Sequence, residues 1–389
     1  MTDPTARVLA INPGSTSTKL GVFRRDACEW NTTIRHSDAE LERFRGPLAQ
    51  AEVRASAIRR ALLDAGINPA RFAAVAGRGG LLPPMECGTY EVNDAMIEEL
   101  RLARRGEHAS NLGAVLALTF AREASGAPSD GSRSPGCEAG VRAYIVDPVT
   151  VDEWQDCARF SGLPQITRSP IGHALNIKAV ARRFARDQQR SYPDLRLIVI
   201  HLGSGITVSA HRNGRMIDQN TPDEGPFGPD RSGWLPVRDL IRLCFSGRYN
   251  ERQLDRLVFG EGGLYAYLGT RDLQEVESRI DSGDPLAASV YDAMIYKTAK
   301  EAGAMAAVLE GRVDAVLLTG GMANSARLIA RFRPYVEWIA PVTLYPGEDE
   351  LRALAEGVFR VLDGEEQPKI FHPAHAVEKG RDALVLGLE

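Results

Sequence analysis

The stretch Val8-Leu9-Ala10-Ile11-Asn12-Pro13-Gly14-Ser15-Thr16-Ser17-Thr18-Lys19 decides how this chain is read. A short apolar run of strand length stops at a turn of glycine and hydroxyl residues, and a second run, Lys19 to Phe23, starts directly after it. The pattern returns at Leu197 to Ile200, where the turn is His201-Leu202-Gly203-Ser204-Gly205 and the returning run is Ile206 to Ala210. That run leads through Arg212-Asn213-Gly214 to Arg215-Met216-Ile217, and Asn-Gly between apolar stretches is a strong hairpin signal. A third run, Ala315 to Leu318, opens into Thr319-Gly320-Gly321-Met322-Ala323-Asn324. Two strand-turn-strand blocks about half a chain apart predict a duplicated domain.

Between the runs lie stretches with apolar residues at helical spacing: Ala51 to Ala65, Ala95 to Leu102, Asn111 to Ala121, Lys178 to Arg186, Pro285 to Leu309 and Glu350 to Leu362. Strands alternating with helices predict an α/β architecture. Ala124 to Gly140, rich in Ser, Gly and Pro, reads as a surface loop, and the tail after Gly364 as a weaker one.

At 389 residues the chain fits about two to three domains. With 47 Lys+Arg against 51 Asp+Glu the net charge is −4, so there is no basic excess for a nucleic-acid backbone or an anionic membrane. Cys28, Cys87, Cys137, Cys157 and Cys244 form no CxxC pair, which predicts reduced cysteines rather than a disulfide framework or zinc site. No signal core and no bilayer-length apolar stretch occur, so a soluble, cytoplasmic protein with no membrane or nucleic-acid partner is expected.

Glycine turns after buried strands expose backbone N–H groups to phosphate. Neither the GxxxxGK[ST] spacing nor a GxGxxG after a strand occurs, so P-loop and Rossmann readings are demoted. Asp147 follows the apolar stretch Ala143 to Val146; it is either a ligand carboxylate at a strand end or a turn aspartate. Arg78 in Gly77-Arg78-Gly79-Gly80 and Arg231 between Gly228 and Gly233 are glycine-framed, as turn residues or as guanidinium groups presented to an oxyanion. His108, His173 and His201 each favour a structural role when taken singly, and no metal-ligand spacing joins them.

Together these segments resemble the acetate and butyrate kinase family. The resemblance runs from the first turn through Gly77-Arg78-Gly79-Gly80-Leu81-Leu82, Gly106-Glu107-His108-Ala109-Ser110-Asn111, Val146-Asp147-Pro148-Val149, His173-Ala174-Leu175-Asn176, His201 to Ile206, Gly225-Pro226-Phe227, Arg231-Ser232-Gly233 and Thr319 to Ala323, covering residues 7 to 362. It implies a fold of two ribonuclease-H-like domains of the actin, sugar kinase and Hsp70 superfamily flanking a nucleotide cleft. The domains would be 1–172, joined by the C-terminal segment 346–389, and 173–345. It also implies reversible phosphoryl transfer from ATP to a small aliphatic carboxylate, butyrate or a branched analogue, giving ADP and an acyl phosphate with Mg²⁺. Acetate and propionate remain open as acceptors, and a homo-oligomer is implied.

By the same resemblance Arg78 and Arg231 grip the carboxylate and the moving phosphoryl group, His173 donates to the transition state, and Asp147 orients magnesium and the attacking carboxylate. Asn12, Ser15, Ser17 and Lys19 match the first phosphate loop. His201, Gly203, Ser204 and Gly205 match the second, and Gly320, Gly321 and Asn324 contact the nucleotide. Asn12, Asp147 and Glu350 are the implied metal ligands, with Glu348 as the alternative glutamate. Gly172 stands where the resemblance leads one to expect an aromatic residue, a change that would widen the substrate end or loosen His173. The competing class is a non-catalytic ATP-binding switch of the same superfamily, which needs phosphate loops but no carboxylate clamp.

Overall fold

The computed structural model describes residues 3–126 and 140–373. Most of the expected loop at 124–140 therefore lies outside the described residues, as does Cys137; Cys28, Cys157 and Cys244 are free thiols. The chain divides into two units, the first built from 1–152 with 349–389 and the second from 153–348.

In the first unit a seven-stranded sheet runs in the order Lys369–Ile370, Thr89–Glu91, Arg142–Val146, Phe72–Arg78, Arg7–Pro13, Ser17–Arg24, Ala27–Arg35. Arg7–Pro13 pairs antiparallel with Ser17–Arg24 and parallel with Phe72–Arg78, which in turn is parallel to Arg142–Val146. The central strand is buried from Val8 to Pro13, as a strand covered by helices on both faces must be. Side-chain alternation sends Gly77 toward the helix Leu112–Ala124, and sends Asn12 and Arg78 toward the helix Glu350–Leu362.

The second unit repeats this order. Its five-stranded sheet runs Arg215–Gln219, Ile206–Arg212, Leu197–Leu202, Ala315–Gly320, Val342–Pro346, the first two pairings antiparallel and the last two parallel. The Asn213-Gly214 hairpin has both residues at positive φ, 54° and 72°, matching the twist of the flanking strands. Ile198, Ile200 and Leu318 pack with Tyr291, Met294 and Ala302 of the helix Pro285–Val308. On the opposite face His201 meets the helix Ala174–Asp187. The duplicated α/β fold is thus present in the strand order of both halves.

The division falls at 152/153 rather than 172/173, and at 348/349 rather than 345/346. The cause lies in buried polar contacts. Lys178, fully buried, donates to Glu153 Oε2 at 2.7 Å, and the same oxygen accepts from the Met216 N–H at 2.8 Å. Arg168 donates to both oxygens of Glu224 at 3.0 Å and to the Gln219 carbonyl at 2.9 Å, and lies 4.6 Å over the Trp154 ring. Residues 153–172 are therefore fastened to the second sheet. The C-terminal segment returns to the first sheet through Lys369–Ile370, paired with Thr89–Glu91.

Arg168 also faces Asp218 at 3.3 Å. Burial, with Asp218 and Glu224 adding and Arg168 opposing, pushes the Glu301 carboxyl up to about 7 from its ordinary 4.5. The native state then holds a proton that the unfolded chain has released, so stability falls as pH rises from about 4.5 to 7. Glu301→Gln, neutral at every pH, should unfold at higher temperature than the parent above pH 7, and the gap should close toward pH 4.5. Equal midpoints at pH 8 would refute the assignment.

Candidate functional site

In the first unit the ends of two adjacent parallel strands and the start of a helix place three side chains in contact. Asn12, 4% exposed, donates through Nδ2 to Glu350 Oε2. Arg78 reaches the same carboxylate at 3.0 and 3.1 Å and Asn12 Oδ1 at 3.4 Å. Its buried Nε–H has no hydrogen-bond partner among the described residues, so the guanidinium keeps a donor in reserve. Lys19 sits directly opposite Asn12 across the antiparallel pair, on the same face, and is exposed without an ion pair among the described residues. Ser15 is exposed and Ser17 half-buried in the connecting turn.

Asp147, 1% exposed, has φ of 38°, a left-handed conformation uncommon for a residue with a Cβ. Its Oδ1 accepts from the Gly88 N–H at 2.7 Å, and its own N–H donates to the Gly88 carbonyl at 3.0 Å. These hydrogen bonds are those of a turn aspartate. His108 caps the 109–111 turn, its Nδ1 accepting from the Ser110 N–H at 3.1 Å. Beside Ser15 and Thr16 lies a cavity of about 390 Å³ edged by Asp38, Glu42, Glu107 and His108.

In the second unit His173 and His201 stack with ring centroids 3.9 Å apart and 13° between planes. His173 Nδ1 bonds Thr207 Oγ1 at 2.9 Å; His201 Nδ1 bonds Asn176 Oδ1 at 2.9 Å. His201 Nε2 is buried without a hydrogen bond, 3.3 Å from Glu348 Oε1. Glu350 and Glu348 thus have different partners, the former Asn12 and Arg78, the latter His201.

Arg231 packs its guanidinium against Gly205 and 4.2 Å over the Phe259 ring. No carboxylate forms an ion pair with it among the described residues. Burial pulls its pKa down, with Asp230 and Asp223 opposing, but an arginine remains charged. The third turn meets the second through Gly320, where φ is 92° and a Cβ would lie 2.4 Å from the Leu202 carbonyl; only glycine fits. Gly321 and Asn324 follow in an exposed turn, and Asn324 donates to the Gly321 carbonyl at 2.9 Å.

Gly172 is buried against Gln219. A Cβ there would lie 2.7 Å from Oε1 of Gln219, a fully buried side chain whose amide atoms have no hydrogen-bond partner among the described residues. Sequence reasoning missed Thr207 and Asn176, which hydrogen-bond the histidines, Gln219, which packs against Gly172, and Arg54, which holds the first turn. None carries a local signal, since each lies within an ordinary strand or helix pattern. Among the described residues no group of three or more His, Cys, Asp or Glu could hold a metal.

Residues 171–337 match the Acetokinase family. A probable butyrate kinase of Clostridium botulinum strain Alaska E43 is 45% identical over 94% of this chain and 99% of its own length. Butyrate kinase 2 of Clostridium acetobutylicum is 47% identical over 93% and 98%. Among solved structures, acetate kinase of Porphyromonas gingivalis superposes with a TM-score of 0.75 at 19% identity, covering 92% of this chain and all of its own. A propionate kinase from Francisella tularensis gives 0.69 at 16% identity over 90% and 98%.

A Cβ on Gly205 would lie 2.3 Å from Arg231 Nη1, so Gly205→Ala must swing the guanidinium aside. The obstacle is the far end of a flexible side chain, so the thermal midpoint should change little while turnover falls about 100-fold, as for Arg231→Ala. Full activity in Gly205→Ala would show that the position of Arg231 does not matter.

Proposed function

The chain belongs to the acetokinase family, and from that premise we propose that it transfers the terminal phosphoryl group of ATP to a short-chain aliphatic carboxylate, giving ADP and an acyl phosphate in a reversible reaction. Butyrate or a branched analogue is the acceptor this reading favours. The observation that carries it is the 45 to 47% identity to relatives named butyrate kinase over nearly the whole chain.

A carboxylate is already ionised near neutral pH, so the acceptor needs no general base. Its attack on a phosphate brings negative charges together, and the work left to the protein is alignment and charge neutralisation. On this reading Arg78 is held ready by Glu350 and Asn12, while Arg231 presents a guanidinium whose charge no ion pair claims. Each removes part of the repulsion. His173, oriented by Thr207, offers its other ring nitrogen to a phosphoryl oxygen. The turns at Gly203 to Gly205 and Gly320 to Asn324 offer backbone N–H groups to the nucleotide.

Magnesium would screen the phosphate charge. The carboxylate of Glu350 and the amide oxygen of Asn12 are hard oxygen donors of the kind the ion takes together with substrate phosphates, and on donor chemistry they fit it. Asp147, whose Oδ1 accepts from the Gly88 N–H, is the third ligand of this reading. A cytoplasmic homo-oligomer belongs to the same reading; no helix among the described residues is long and apolar enough to cross a membrane. No observation favours the non-catalytic switch.

ATP-dependent acyl phosphate formation, trapped with hydroxylamine in the presence of Mg²⁺, tests the proposal across acetate, propionate, butyrate, isobutyrate and isovalerate. Turnover should peak at four or five carbons, with neighbouring acids differing by about 10–200-fold because one methylene carries only about 1–3 kcal/mol. A peak at acetate would overturn the substrate assignment, and silence with all five the activity.

A further inference from the structure

Arg54 lies on the helix Ala51–Asp64 and is fully buried. Its Nη1 donates to the carbonyls of Gly14 at 2.9 Å and Ser17 at 3.0 Å and to Thr18 Oγ1 at 3.1 Å. Its Nη2 donates to the Ser15 carbonyl at 2.9 Å, and Nε and Nη2 share Gln50 Oε1 at 3.1 and 2.9 Å. Every one of these acceptors is neutral. No carboxylate forms an ion pair with Arg54 among the described residues, and Glu40 acts on it only at longer range.

Two consequences follow from elementary geometry and charge. In a trans peptide the C=O of one residue and the N–H of the next point in opposite directions. Carbonyls of Gly14 and Ser15 turned in toward Arg54 therefore turn the N–H groups of Ser15 and Thr16 out, and both residues are exposed. Successive outward N–H groups make an anion-binding concavity. The second consequence is electrostatic. A buried ion is normally neutralised by a partner, because taking it from water is costly. Here burial lowers the guanidinium's pKa, yet its charge is left uncancelled directly beneath the turn.

We infer that Arg54 is a positioning residue for phosphoryl transfer: it sets the turn Gly14 to Ser17 with the N–H groups of Ser15 and Thr16 outward and places an uncompensated positive charge behind them, to be balanced by a phosphate oxygen. The inference rests on the carboxylate kinase reading and deepens it. His36, which bonds Thr18 Oγ1 at 2.9 Å, closes the network from the other side; burial first and Arg54 second hold its imidazole below the ordinary pKa, so it adds no competing charge at neutral pH.

The test compares Arg54→Met, Arg54→Lys and Gln50→Ala with the parent protein, reading kcat, the KM for butyrate, the thermal midpoint and amide hydrogen exchange of residues 13–19. Arg54→Met should lower kcat by about 100-fold while the KM for butyrate stays within about threefold, and exchange should rise in that segment. Arg54→Lys, keeping the charge but not the fork, should recover roughly tenfold of the loss, and Gln50→Ala should fall between it and the parent. Parental kcat and exchange in Arg54→Met would overturn the inference. So would a collapsed thermal midpoint in Arg54→Met together with parental kcat in Arg54→Lys, the signature of a core residue alone. If the parent makes no acyl phosphate from any acid, the kinase reading fails, and exchange with ATP alone decides the role of Arg54. Protection of residues 13–19 by ATP that is lost in Arg54→Met and partly kept in Arg54→Lys supports the role; equal protection in Arg54→Met and the parent overturns it.

Discussion

The carboxylate of Glu350 reaches back across 338 positions of sequence to Asn12 and braces Arg78 in the same contact. Much of the first unit's architecture serves that reach. The segment from Asp349 onward leaves the second unit, lays the helix Glu350–Leu362 on the first sheet, and so sets a carboxylate over the ends of its two central parallel strands. An arginine without such a partner there would sample many rotamers; one held at 3.0 to 3.1 Å by both carboxylate oxygens is oriented before any ligand arrives.

The second unit arrives at a comparable arrangement with different chemistry. There too a polar residue near the end of the central strand, His201, faces a helix, and His173 stands at that helix's first turn. Where the first unit pairs an acid with an arginine, the second stacks two imidazoles and lays an arginine over a glycine and a phenyl ring. The common element is a sheet whose central strands end in tight glycine turns. Transfer between a phosphate and a carboxylate needs such fixed positive groups far more than it needs a nucleophile or base.

Much of this was legible before any coordinates. Buried runs ending in glycine mark the central strands within two residues, because a strand covered on both faces must be continuously apolar and its exit must turn tightly. The edge strand Ala27–Arg35 escaped, since its polar and exposed residues leave no apolar run. Arg54 was invisible for the opposite reason: an arginine in an amphipathic helix looks like any solvated charge, and only the tertiary fold shows it buried. The unit boundary slipped by twenty residues because the Glu153–Lys178 pair and the Arg168 cluster are long-range contacts with no local pattern. Asp147, which the residues alone offer as ligand or turn aspartate and the resemblance makes a metal ligand, bonds Gly88 through both its Oδ1 and its own N–H. Glu348 and Glu350 were inseparable by motif, yet they face entirely different partners.

The claim most in need of a direct test is that Arg78 and Glu350 act on the reaction as one unit. A double-mutant cycle on kcat/KM for butyrate, using the parent, Arg78→Ala, Glu350→Gln and the paired variant, measures that coupling. The account predicts that the paired variant loses far less than the product of the two single losses, because removing either residue already dismantles the clamp. Losses that simply multiply would mean that the two side chains act independently, and the contact between them would then be structural only.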